Sequence, residues 1–273
     1  RIQYMKKYVQ EATDINIWTS IKNNTFERNK DIKEFIDGLE LIDESACISL
    51  DAKWGDGKTF FVRQIEEVLK YVLANQRADE ENPIPSYEYL KDNEMMAKID
   101  LKHSYLPIYY NAWMYDNHSD PFMSLLLVMT KTCKGVYDTK IDSEKISEKL
   151  IKALSTLPIS LGEFKMNPFT VAEKLQVKKV DILSLVQTEE EIRERVKGIF
   201  NDIIVERAQK LIIFIDELDR CRPSFAIEML ERIKHYFDDE RVIFVVSLNK
   251  EQLIHTITNY YGSGFDATRY LNK

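Results

Sequence analysis

Ala52-Lys-Trp-Gly-Asp-Gly-Lys-Thr59 and the carboxylate pair Asp216 and Glu217 are the residues of this 273-residue chain best suited to chemistry. Gly55 and Gly57 allow a tight turn whose successive backbone N–H groups point into one concavity. A helix opening at Lys58 would add its dipole, and the two together suit a phosphate chain. Lys58 would reach the β- and γ-phosphates as a mobile ammonium, the Thr59 hydroxyl would ligate Mg2+, and Trp54, Gly55, Asp56 and Gly57 would complete the cradle. The segment fits the P-loop pattern at every position but the first, where Ala52 replaces the more usual Gly. Asp216 would give Mg2+ its second protein contact, and Glu217 would take the proton from an attacking water. The ligands this chemistry implies are ATP and Mg2+.

Such chemistry needs a strand to deliver the loop and another to deliver the carboxylates. Ala46 to Ala52 reads as a short strand, and the helix after Lys58 carries Phe61, Ile65, Val68, Leu69 and Val72 at the spacing of one buried stripe. Leu106 to Ala112 reads as a second strand, followed by a helix from Pro121 to Tyr137 with proline in its first turn. Leu211 to Ile215 and Val242 to Leu248 are continuous apolar runs of the kind buried on both faces of a parallel sheet. Asp216 and Glu217 therefore sit at the carboxyl end of a strand, where open α/β sheets place ligands. Helices are expected over 30–41, over 192–203 behind a Thr188/Glu191 capping box, over 224–237 and over 251–261. Ile32, Phe35, Ile36 and Leu39 mark the inner face of the first of these. Residues 75–100 read as a polar excursion. The alternation of strand and helix predicts a three-layer α/β core with a parallel sheet and a helical insertion. Its parts are a lead-in at 1–29, core at 30–137, the insertion at 138–187 and core at 188–273.

A chain of this length can bury about three quarters of its unfolded surface. With 44% hydrophobic and 30% charged residues it has the composition of a folded domain rather than a disordered one. A net charge of -7 disfavours a surface built to neutralise a nucleic-acid backbone. Cys47, Cys133 and Cys221 are odd in number and widely spaced, which argues against a disulfide framework or a zinc site and favours the cytoplasm. His103, His118, His235 and His255 show no metal spacing. No apolar run approaches the length of a membrane span.

The sequence resembles the KAP family of P-loop NTPases over roughly residues 25–273. The resemblance rests on Lys53 to Thr59, on Tyr-Asn-Ala-Trp-Met-Tyr from 110 to 115, on Ile-Asp-Glu-Leu-Asp-Arg-Cys-Arg-Pro from 215 to 223, and on Phe-Asp-Ala-Thr-Arg-Tyr-Leu-Asn-Lys from 265 to 273. It implies an additional-strand, catalytic-glutamate core and hydrolysis of nucleotide by an oligomer or with an effector partner. It also implies frequent use in bacterial exclusion of phage or in membrane-associated signalling. Many members carry transmembrane helices between their two Walker motifs; this chain has none over 138–187, which favours the branch without them.

Further residues acquire roles through that resemblance. Asn111 would belong to the site, while Trp113 would pack in the core. Asn249 stands at a polar sensor position where it would orient the attacking water, or else it caps the helix that follows. Arg220 would be a finger for a neighbouring subunit, or Asp219 would pair with Arg220 or Arg222 structurally, the preferred reading. Arg28 and Asn29 would border the adenine, on position alone. The resemblance also leads us to expect a fifth strand beside the 46–52 strand and a helical lid, both supplied by sequence beyond residue 273.

Overall fold

A computed structural model describes residues 11–77, 93–118, 120–135, 197–198, 201, 208–236 and 239–271. Four parallel strands, β1 (Ala46–Asp51), β2 (Tyr105–Asn111), β3 (Lys210–Asp216) and β4 (Val242–Leu248), form one sheet in the order β1-β4-β3-β2. The two apolar runs are the central strands, buried along their whole length, as their lack of alternation requires. Pro107 fits within β2 because β2 is an edge among the described strands, where a missing N–H costs no ladder bond. β1 is the other edge among the described strands, and it alternates: Ile48 and Leu50 are half-buried while Cys47, Ser49 and Asp51 are exposed.

Helices cover both faces, so the expected three-layer α/β core with a parallel sheet is what the chain forms. On one face lie α1 (Asp14–Lys22), α2 (Arg28–Leu39) and α3 (Lys58–Arg77), burying Ile17, Ile36, Ile65 and Leu69 against Ile212, Phe214, Ile243 and Val245. On the other lie α4 (Pro121–Gly135), α5 (Pro223–Tyr236), α6 (Lys250–Tyr261) and α7 (Ala267–Leu271), packed on Ile213, Ile215, Phe244 and Val246. Ile227, Leu230 and Ile233 of α5 face inward, and Glu228 and Arg232 form an i, i+4 pair at 3.3 Å.

Several readings are adjusted. α1 and α7 were not anticipated; α1 is opened by Thr13, whose hydroxyl accepts from the Asn16 amide. α2 starts at Arg28 and ends at Leu39, displaced from the 30–41 expectation. In α3 the buried apolar residues are Val62, Ile65, Val68, Leu69, Leu73 and Ala74, while Phe61 and Val72 are half-buried. The stripe is wider than one face because α3 is packed by the sheet on one side and by α1 and α2 on the other. The expected insertion over 138–187 and Phe237 lie outside the described residues, as does the 192–203 helix apart from 197–198 and 201.

Candidate functional site at the phosphate-binding loop

The loop between β1 and α3 is held at both ends and crossed by its own lysine. The Ala52 amide donates to the Leu248 carbonyl at 3.2 Å, and the Phe61 amide donates to the Gly57 carbonyl at 3.0 Å. Gly55 and Gly57 take φ of 94° and 82°, conformations that a Cβ would strain. Asp56 closes the turn, its carboxylate accepting from the Lys53 amide at 3.0 Å. The Lys58 ammonium donates to the carbonyls of Ala52 at 2.5 Å and Lys53 at 3.1 Å, arching across the concavity. Thr59 follows in the first turn of α3. Trp54 ties the loop to the 3-10 turn Leu218–Arg220 that follows β3: its indole Nε1 donates to Asp219 Oδ2 at 2.5 Å.

Asp216 ends β3 almost without solvent exposure, at 1%. Its Oδ1 accepts from the Glu217 amide at 3.0 Å and its Oδ2 from the Tyr109 hydroxyl at 3.0 Å. Burial first, and then the Asp216 carboxylate, push the Tyr109 hydroxyl far above its ordinary range, so it stays a donor. The Arg63 guanidinium lies 4.8 Å from the Tyr109 ring centroid and pairs with Glu66 and Asp14, which fixes the ring from behind.

Glu217 occupies the left-handed region at φ 61°, which turns its side chain out of the strand direction. One carboxylate oxygen lies 3.4 Å from Asn111 Nδ2 and the other 3.3 Å from Arg220 Nη1. Asn111 is itself fixed, because its Oδ1 accepts from the Met114 amide at 3.1 Å. Asn111, Asp216 and Glu217 thus converge at the carboxyl ends of the paired strands β2 and β3.

The secondary assignments divide. Asn249 caps α6, its Oδ1 accepting from the Gln252 amide at 3.2 Å, as the capping alternative expects. The expected Asp219–Arg pair is replaced: Asp219 binds Trp54, Arg220 pairs with Glu217, and Arg222 pairs with Asp116. Trp113 does not enter the core but is 53% exposed, because the 3-10 turn Ala112–Tyr115 buries Ala112 instead. With Trp54 it walls an open cavity of about 590 Å³ that also reaches Asp219 and Arg220. The Cys221 thiol on that wall is pushed up to about 12, by burial and then by Asp116, and stays protonated.

Sequence reasoning missed Ser247. It is fully buried, its Oγ has no hydrogen-bond partner, and it stands beside Asp216 in the register of β3 and β4. Register partners in a sheet share a face, so the hydroxyl lies on the α3 side with Asp216 and Tyr109. An orphaned buried hydroxyl beside a buried carboxylate is the kind of polar atom that an ion or ligand satisfies. Nothing in the local sequence around Ser247 signals this, since it is a property of the assembled sheet.

This arrangement, a strand-loop-helix phosphate cradle with an Asp-Glu pair at the end of β3, one strand removed from β1, agrees with the family comparison. The KAP family P-loop domain profile matches residues 28–273. The chain belongs to the KAP family of P-loop domains. Membership supports nucleotide binding, and P-loop NTPases as a class generally hydrolyse the nucleotide they hold. No curated protein matches the chain. Whatever topology other KAP proteins adopt, no helix among the described residues of this one is long and apolar enough to cross a membrane.

Proposed function

We propose that this KAP domain hydrolyses ATP, with Glu217 as general base and the loop from Ala52 to Thr59 as phosphate cradle. The observation that carries the reading is the direct tie between the two halves of the site, Trp54 of the loop bonded to Asp219 beside Glu217. The backbone of Trp54, Gly55, Asp56 and Gly57 would hold the phosphates while Lys58 compensates their charge. Glu217 would accept a proton from water as the water oxygen bonds to the γ-phosphorus and the bond to the bridging oxygen breaks, releasing ADP and phosphate. Asn111 would orient Glu217 by holding one of its oxygens.

The donor set suits magnesium: the Thr59 hydroxyl and the Asp216 carboxylate are hard oxygen ligands, and the orphaned Ser247 hydroxyl lies beside Asp216. Bound there, Mg2+ would neutralise charge on the β- and γ-phosphates. Tyr109→Phe, which removes the donor that orients Asp216, should raise the Mg2+ concentration for half-maximal turnover by about 10- to 100-fold, the usual cost of an outer-shell partner. An unchanged Mg2+ titration would remove Tyr109 from the account.

The family resemblance supports a regulatory switch in bacterial exclusion of phage, with hydrolysis altering contacts to other subunits or to an effector protein. A second reading, a scaffold that binds ATP with little turnover, draws on the pairing of Glu217 with Arg220, which engages one oxygen of the proposed base. Phosphate release from ATP by the full chain, measured with and without Mg2+ alongside ATP binding, separates the two. Magnesium-dependent release supports the enzyme; tight binding with no release supports the scaffold; no binding removes both.

A further inference from the structure

The two oxygens of Glu217 are met from two turns. Asn111 Nδ2 lies 3.4 Å from one oxygen, and Arg220 Nη1 lies 3.3 Å from the other. Asn111 caps the 3-10 turn Ala112–Tyr115, and Arg220 ends the 3-10 turn Leu218–Arg220, whose own cap is Glu217. A clasp joins these turns: the Arg222 amide donates to Asp116 Oδ1 at 2.9 Å, and the Arg222 guanidinium donates to the Asp116 carbonyl. The second turn is also pinned from inside, since Leu218 is fully buried and the buried Asp219 accepts from Trp54.

Arg220 differs from the residues around it. Its side chain is 41% exposed, and an ion pair this open is weak by itself, because a long side chain gives up many rotamers to keep one partner. Trp113 narrows the choice. The Arg220 guanidinium carbon lies 5.7 Å from the Trp113 ring centroid, within range of a cation–π contact, and tryptophan offers the best ring for one. Trp113 is in turn placed by its neighbours: Ala112 is fully buried, and Tyr115 stacks on the buried Tyr110 with ring centroids 5.3 Å apart. One turn therefore reaches both oxygens of Glu217, the first directly through Asn111 and the second through the Trp113 ring and Arg220.

We propose that Trp113 is a positioning residue for hydrolysis, its ring holding Arg220 against Glu217 so that the carboxylate is fixed at both oxygens. The proposal rests on the ATPase reading above, and it gives a half-exposed tryptophan a role that neither the phosphate-loop motif nor the family match assigns. A carboxylate has about four lone-pair sites, so the contacts with Asn111 and Arg220 leave room for the attacking water. The terminal torsion of glutamate is broad, and a base held at one oxygen alone swings about it and loses its aim.

The test is steady-state ATP turnover by the full chain carrying Trp113→Leu, Trp113→Phe, Arg220→Gln, or Trp113→Leu with Arg220→Gln, alongside equilibrium binding of adenylyl imidodiphosphate and thermal melting. Trp113 is 53% exposed, so its replacement opens no core cavity and the variants are expected to fold. Trp113→Leu should lower kcat by about 5-fold, the population shift that an exposed cation–π contact supplies, with the analogue bound as the parent binds it. Trp113→Phe keeps a π-face and should recover most of that loss. Arg220→Gln should lower kcat on the order of 10-fold, and Trp113→Leu should then add nothing, because its effect runs through the arginine. Equal losses from leucine and phenylalanine, a full further loss from Trp113→Leu when Arg220 is already replaced, or a kcat that rises when Arg220 is removed would each overturn the role. So would a fall in analogue affinity or melting temperature that matches the fall in kcat, which would make Trp113 a support for the fold. Parent turnover in all four variants would overturn the role of Trp113 and leave the ATPase reading standing. A parent that binds the analogue but releases no phosphate from ATP would instead remove the ATPase reading, and the positioning role with it.

Discussion

Lys58→Ala should weaken ATP binding by on the order of 100- to 1,000-fold, which at ordinary nucleotide concentrations is loss of binding. The ammonium lies across the loop itself, where it donates to two loop carbonyls. Removing it leaves phosphate charge facing backbone dipoles alone, and charge-assisted bonds are about twice as strong as neutral ones. The ammonium also tethers the loop to itself, so the variant's melting temperature should be recorded with its affinity. Lys58→Arg serves as the control, because it keeps the charge but replaces a compact ammonium with a planar fork on a different reach. ATP affinity near that of the parent in a well-folded Lys58→Ala protein would sink the assignment of the loop.

Glu217→Gln should leave ATP bound and cut turnover by about two to four orders of magnitude, the span of general-base catalysis. The isosteric amide can keep the contact with Asn111, since an amide oxygen still accepts, but it cannot take a proton and loses its ion pair with Arg220. Binding and chemistry should therefore separate in this variant, as they do not in Lys58→Ala. Turnover at the parent rate would place the base on another residue. A scaffold with little turnover predicts instead that the substitution changes almost nothing, because little chemistry is there to lose.

The parallel core was legible because its central strands are written as uninterrupted β-branched and aromatic runs. Val242–Leu248 carries the bounds expected of it, and the strand expected over 211–215 extends by one residue at each end. The phosphate loop was equally plain, since glycine at two positive-φ positions and lysine ahead of a helix are local requirements. What escaped were features made by tertiary contact. α1 shows only Ile17 and Ile21 as buried apolar positions in nine residues, too short a stripe to stand out in a charged stretch. Asp219 finds its partner in Trp54, 165 positions away, where sequence proximity favoured a neighbouring arginine. Trp113 carries the composition of a core residue, yet the short turn that holds it directs Ala112 inward. Ser247 is distinctive for a missing partner, a property that does not exist until the chain is folded.

The register of β3 and β4 also explains why one substitution can act on both binding and chemistry. Asp216, Tyr109 and Ser247 share the face that α3 covers, so a change that shifts α3 reaches the carboxylate and the phosphate loop together. The Arg63, Glu66, Glu67 and Lys70 network of α3 meets this face through Arg63, whose guanidinium lies over the Tyr109 ring. Its ion pairs are Lys70 with Glu66 at 2.7 Å and with Glu67 at 2.8 Å, and Arg63 with Glu66. Burial pushes the Glu66 carboxyl up and the neighbouring cations hold it down, with burial the larger effect.

The most direct measurement of the central claim is a crystal structure of the Glu217→Gln protein with Mg-ATP. The account predicts triphosphate density against the backbone amides of 54–59, Mg2+ between Thr59 and Asp216, and the γ-phosphate on the side of residue 217. Triphosphate bound elsewhere, or seated on the loop with its γ-phosphate turned away from residue 217, would contradict it.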